Sequence, residues 1–235
     1  MRIEALTTWS RIQALVWTPA LLLCTCLDEA WILTWRIPIA LLIICSTVSL
    51  VAVLKAGRSP ANATTLARAL LLVPLLFTHI PSAWICWVLA VFIASLDMVD
   101  GAIARHLGPT PAGAILDMET DQLTVTTFAL LLVSAGSGPQ VLLLPLMRPA
   151  FVLGAWLYKL PATNPKPIDG DNSRGRRVCA IVMIALLAAM APGMNSMLRE
   201  TFTASAALLL MWSFSSDWQF LMRSRKAAME HHELH

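Results

Sequence analysis

Four aspartates, Asp97, Asp100, Asp117 and Asp121, share the stretch "LDMVDGAIARHLGPTPAGAILDMETD" (residues 96–121), with apolar sequence on both sides. The first two are spaced i, i+3 and the last two i, i+4, so on helices each pair lies along one face. Two such faces turned toward each other gather four carboxylates. Ionised carboxylates that close repel one another unless some are protonated or a positive charge sits among them. Hard oxygen ligands suit Mg²⁺, Mn²⁺ or Ca²⁺, and two such ions about 3.5–4 Å apart bind phosphate and stabilise a displacement at phosphorus. Gly101 removes a side chain beside the cluster, so a phosphate or sugar could approach the backbone, and Gly113 offers the same on the opposite helix. Ala104 keeps the contact thin one turn on, and Arg105 carries a fork of donors for phosphate oxygens. Glu119, two residues from Asp117 and from Asp121, turns to the far side of its helix and reads as a solvated or headgroup-level charge.

The elements that must position these residues are those of a membrane protein. The chain has 235 residues, 57% of them hydrophobic and 13% charged, with a mean hydropathy of +0.70, far more apolar than a soluble domain. A helix crosses the hydrocarbon with about 17–25 mostly apolar residues. Eight such runs are found near residues 10–27, 37–54, 64–80, 82–98, 113–134, 139–158, 178–193 and 199–221. The expected fold is all-α, a polytopic transmembrane helical bundle. An N-terminal two-helix hairpin at residues 1–58 precedes a six-helix core at 59–222 and a cytoplasmic tail at 223–235.

Lys and Arg accumulate on the cytoplasmic side of membrane helices. With the N-terminus inside, most basic residues fall at that face, and so does the acidic stretch between the fourth and fifth spans. The net charge of +3 therefore reflects topology, with no nucleic-acid patch. The five cysteines lie in or beside apolar spans without metal-ligand spacing and read as small buried hydrophobes.

Asp97-x-x-Asp100-Gly101-x-x-Ala104-Arg105, followed by Gly113-x-x-x-Asp117-x-x-x-Asp121, resembles the signature of the CDP-alcohol phosphotransferase family, class I. Asn62, Thr65 and Arg68 in "SPANATTLARALLLVP" resemble the segment that opens that family's first core helix. One departure is the spacing from Arg105 to Gly113, one residue shorter than in most members, which bears on the loop around Thr110. The resemblance covers residues 60–222 and leaves the N-terminal hairpin outside the pattern.

The resemblance implies an enzyme of phospholipid synthesis that moves the phosphatidyl group of CDP-diacylglycerol to a small alcohol and releases CMP. By similarity, Asp97, Asp100, Asp117 and Asp121 hold two ions, Mg²⁺ or Mn²⁺, with Asp121 also the general base. Gly101, Arg105, Thr110, Asn62 and Thr65 contact the cytidine diphosphate. Family members are often dimers. The site is expected to face the cytoplasm, with the bacterial inner membrane as the location.

For the acceptor, Arg148 lies midway along an apolar run, where it needs a wet cavity or an acid. Arg174, Arg176 and Arg177 crowd the start of the next span in "SRGRRV", which loosely resembles a basic segment that binds phosphorylated acceptors. Together they point to a phosphate-bearing alcohol such as glycerol 3-phosphate, or to headgroup anchoring. The alternatives are a transferase using a soluble CDP-alcohol with a lipid acceptor and, from another class, a cation-coupled transporter built on the aspartates.

Overall fold

The computed structural model describes residues 3–26, 29–54, 59–77, 83–108, 110–160 and 173–233, and among them every regular element is helical. The order is α1 (Ile3–Cys26), α2 (Glu29–Leu54), α3 (Pro60–Phe77), α4 (Ala83–Leu107), α5 (Pro111–Ser134), a 3₁₀ turn (Pro139–Leu142), α6 (Leu143–Leu157), α7 (Ser173–Ala189) and α8 (Ser196–Glu233). Each of the eight expected spans corresponds to one of these helices. Among the described residues three segments, Arg36–Leu54, Ala83–Ala104 and Pro139–Leu157, are by themselves long and apolar enough to cross a membrane, and the apolar parts of α3 and α7 are shorter. Exposed Leu41 and Val48 on α2 and Trp84, Val88 and Phe92 on α4 would be costly in water, and they fit contact with lipid. Helix α8 runs without a break through Glu233, so the region read as a separate tail continues this helix.

Helix α5 is the centre of the bundle. Leu116, Phe128, Ala129 and Leu132 are fully buried on it, and α2, α3, α6 and α7 all pack around it. Its threonines would be expensive in hydrocarbon, but each hydroxyl donates to the carbonyl four residues back: Thr120 to Leu116 at 2.8 Å, Thr124 to Thr120 at 2.9 Å, Thr127 to Leu123 at 2.9 Å. Helix α6 contains Pro149, which has no N–H to give the carbonyl of Pro145; the Gln122 side chain of α5 fills the gap, donating at 2.7 Å.

The two N-terminal helices pack on the core as well as on each other. Helix α1 packs more extensively on α6 than on α2, and α2 packs on α3 and α5. Polar bonds join α1 to α2: the indole N–H of Trp9 donates to Ser49 Oγ at 2.9 Å, and Ser46 Oγ donates to Gln13 Oε1 at 2.6 Å.

Candidate active site

The turn between α4 and α5 brings the two aspartate pairs together. Gly108 follows the last residue of α4 with a φ of +90°, a left-handed conformation that glycine adopts without strain. Thr110 then caps α5, its hydroxyl accepting from the Gly113 amide at 3.1 Å, and Pro111 takes the first helical position, where its missing N–H costs nothing. The helices reverse within a few residues, so Asp97 and Asp100 in the second half of α4 meet Asp117 and Asp121 in the first half of α5.

Helix α3 supplies a positive charge to the cluster. Asn62, Thr65 and Arg68 recur every third residue and are all buried on the stripe that faces α4 and α5. Thr65 donates to Asp100 Oδ2 at 2.9 Å. The guanidinium of Arg68 lies among all four aspartates. One Nη pairs with Asp97 Oδ1 and lies 3.8 Å from Asp100 Oδ2; the other donates to Asp117 Oδ1 at 3.0 Å and Asp121 Oδ1 at 2.9 Å. The positive charge that the cluster requires thus comes in part from the protein. Its signal was present in the Asn62, Thr65, Arg68 spacing, which places the arginine on the face of the other two.

One guanidinium does not balance four carboxylates. If all four are ionised, one positive charge against four leaves three in excess. Carboxylate oxygens of Asp97, Asp117 and Asp121 lie within 4.8 Å of one another, a donor set suited to a hard divalent cation, while Asp100 turns toward Thr65. The cluster is open on one side and sealed on the other: the side chains of Asp97 and Asp117 are 46% and 43% exposed, those of Asp100 and Arg68 4% and 1%. From α7, the thiol of Cys179 donates to Asp121 Oδ2 at 3.6 Å. Cys179 was read as an inert hydrophobe; nothing in its local sequence marks this contact, which depends on how α7 packs against α5.

Gly113 has a function in packing. A Cβ there would lie 2.9 Å from Thr110 Oγ1 and 3.0 Å from Asn62 Oδ1, so the bare backbone lets α3 and the cap of α5 close together. Gly101 is half-buried on α4, one residue past Asp100. The side chains of Arg105 and Arg176 lie outside the described residues.

Arg148 and Arg174 have partners outside the aspartate cluster. Arg148 pairs with Glu119 on the opposite face of α5, where Glu119 is 14% exposed and held between helices. This corrects the reading of Glu119 as a solvated charge: the acid that Arg148 requires at that depth is Glu119. It also removes Arg148 from the aspartate cavity. Arg174 pairs with Asp217 and lies over the ring of Trp212, 5.8 Å from its centroid, tying α7 to α8. Arg177 is exposed on α7.

A model of the CDP-alcohol phosphatidyltransferase family matches residues 58–215, two-thirds of the chain, including α3, both aspartate pairs and α7. The chain belongs to the CDP-alcohol phosphatidyltransferase family. Neither the curated proteins nor the solved structures contain a match. Family membership makes this an all-helical membrane transferase acting on a CDP-alcohol, in a family generally dependent on divalent metal. The match begins at the polar break after α2, so α1 and α2 lie outside it.

Proposed function

We propose that the aspartate face between α4 and α5 moves the phosphatidyl group of CDP-diacylglycerol to a phosphorylated polyol such as glycerol 3-phosphate, releasing CMP. The observation that carries this reading is the convergence of Asp97, Asp117 and Asp121, with oxygens within 4.8 Å of one another, in a chain whose family acts on CDP-alcohols.

Asp97, Asp100, Asp117 and Asp121 would hold two divalent ions, Mg²⁺ or Mn²⁺, which when bound supply positive charge against the diphosphate oxygens. Asp121 takes the proton of the acceptor hydroxyl. The alcohol oxygen then bonds to the phosphatidyl phosphorus, the phosphoanhydride bond breaks, and CMP leaves with the electron pair. A positioned base contributes about 10²–10⁴-fold to such a step. Arg68 on one Asp121 oxygen and the Cys179 thiol on the other fix the rotation of that carboxylate. Gly101 leaves room for the donor to approach backbone, and Asn62, Thr65, Arg105 and Thr110 contact its cytidine diphosphate. Arg176 and Arg177 at the start of α7 are the acceptor-phosphate residues, and Arg148 and Arg174 are omitted because their charges are paired with Glu119 and Asp217. The site faces the cytoplasm of a multi-pass protein, on the distribution of Lys and Arg. A cation-coupled transporter would leave Gly101, Ala104 and Arg105 of the same motif without a role.

The test is CMP release by purified protein in detergent with CDP-diacylglycerol and Mg²⁺, offering glycerol 3-phosphate, inositol phosphate, inositol, serine and choline separately. Stimulation by a phosphorylated polyol is expected. Stimulation by serine or choline alone would overturn the acceptor class, and turnover only with CDP-choline and diacylglycerol would overturn the donor.

A further inference from the structure

Near the aspartates the contact between α3 and α5 is polar: Asn62 lies against Gly113, and Arg68 pairs with Asp117 and Asp121. Carboxylates in excess of their counter-charge repel, so this end of the helix pair needs apolar packing from elsewhere to stay closed. Beside it is a buried cluster of Trp9, Leu50, Leu54 and Leu116, separate from the main core of the bundle. Leu66 of α3 and Ala112 and Ile115 of α5 pack against that cluster. Leu66 follows Thr65, Ala112 precedes Gly113 and Leu116 precedes Asp117, so the cluster grips both helices within a residue of the site.

Three of the four buried members come from the helices outside the family match, Leu50 and Leu54 from the last turns of α2 and Trp9 from α1. Helix α2 packs on both α3 and α5. The indole N–H of Trp9 donates to Ser49 Oγ at 2.9 Å, which fixes the ring against the end of α2. Ile43 provides a comparison on the same helix. It lies two turns back from Leu50 on the same face and is 1% exposed against 2% for Leu50, yet it belongs to the main core.

We propose that Trp9, Leu50 and Leu54 are positioning residues for the CDP donor, and that α1 and α2 set the affinity for it by holding α3 against the start of α5. This rests on the reading that Asn62, Thr65 and Thr110, which flank the junction of α3 with the α5 cap, contact the cytidine diphosphate. The four aspartates are tied together by the short turn between α4 and α5 and by Arg68. Loosening the apolar cluster therefore shifts donor affinity more than the chemical step.

The experiment measures kcat, KM for CDP-diacylglycerol and amide hydrogen exchange over residues 112–117 in the full chain, for wild type, Leu50→Ala and Ile43→Ala. Should wild type turn over CDP-choline instead, the same comparison is made with that donor. Both truncations should lower thermal stability alike. Only Leu50→Ala should raise the donor KM, about tenfold with kcat changed by less than about threefold, and speed exchange over 112–117. Leu50→Val, a smaller truncation, should move KM and exchange in the same direction and takes the place of Leu50→Ala if that variant does not fold. An unchanged donor KM in the folded Leu50 variant, or an equal rise in Ile43→Ala, would overturn the inference. Asn62→Ala tests the reading beneath it: an unchanged donor KM there would remove Asn62 from the donor contact, while the contrast between the Leu50 and Ile43 variants still decides the role of α1 and α2.

Discussion

Helix α5 carries an arginine–carboxylate site on each of two faces, and they differ in charge balance. On one face Arg68, from α3, lies among Asp97, Asp100, Asp117 and Asp121; on the other Arg148, from α6, meets Glu119 alone. The first is strongly negative and opens through Asp97 and Asp117; the second is neutral, with 21% and 14% of its two side chains exposed. The comparison teaches that a buried arginine beside acids does not define a function. Excess carboxylate requires an additional cation and so creates a site for one, whereas a one-to-one pair is already balanced and joins two helices.

The largest effect expected is on the first face. Asp121→Asn should lower turnover by about 10²–10⁴-fold while the protein stays folded and still binds donor, because the base is lost and other carboxylates remain. CMP release beside a donor-binding measurement checks it; near-normal turnover would remove Asp121 as the base.

Arg68→Gln breaks the same face in another way. With its counter-charge gone, the metal-free cluster should destabilise the fold by about 3–5 kcal/mol, and Mg²⁺ should restore much of the loss. Thermal unfolding in EDTA and in Mg²⁺ reads both. An equal loss in the two conditions would mean that Arg68 contributes packing rather than charge.

Gly113→Ala sharpens the comparison by testing how tightly the aspartate face is seated. The added methyl falls at 2.9–3.0 Å from Thr110 Oγ1 and Asn62 Oδ1, so α3 and the cap of α5 must separate, at about 1–3 kcal/mol. The apparent affinity for the CDP donor should fall more than kcat. The smallest effect is expected on the balanced face: Glu119→Gln removes one charge of a half-buried pair and should cost about 1–2 kcal/mol in thermal stability, independent of divalent metal. A metal-dependent loss there would show the two faces to be coupled.

Much of the aspartate face was legible because helical spacing is a local property: i, i+3 and i, i+4 place each pair on a face whatever surrounds it. The eight helices were likewise legible from apolar length, since a lipid-facing helix declares itself by composition. What the sequence left hidden depended on packing between distant elements. Cys179 reaches Asp121 only because α7 lies on α5. Arg68 was seen as part of a motif, yet its place among all four acids follows from α3 packing on both α4 and α5. Glu119 was correctly turned away from its neighbours, but α6 at its far side, carrying Arg148, was not visible from spacing within α5. Helices α1 and α2 read as an added hairpin because nothing local predicts that α1 would prefer α6 to its own neighbour.

The most direct test of the charge-deficient face is the dependence of CMP release on divalent metal. Protein stripped with EDTA and supplied with CDP-diacylglycerol and its best acceptor should release no CMP, and Mg²⁺ or Mn²⁺ should restore release in wild type but not in Asp117→Asn. Undiminished release from the stripped protein, or full restoration in that variant, would contradict a metal-assisted transfer at these aspartates.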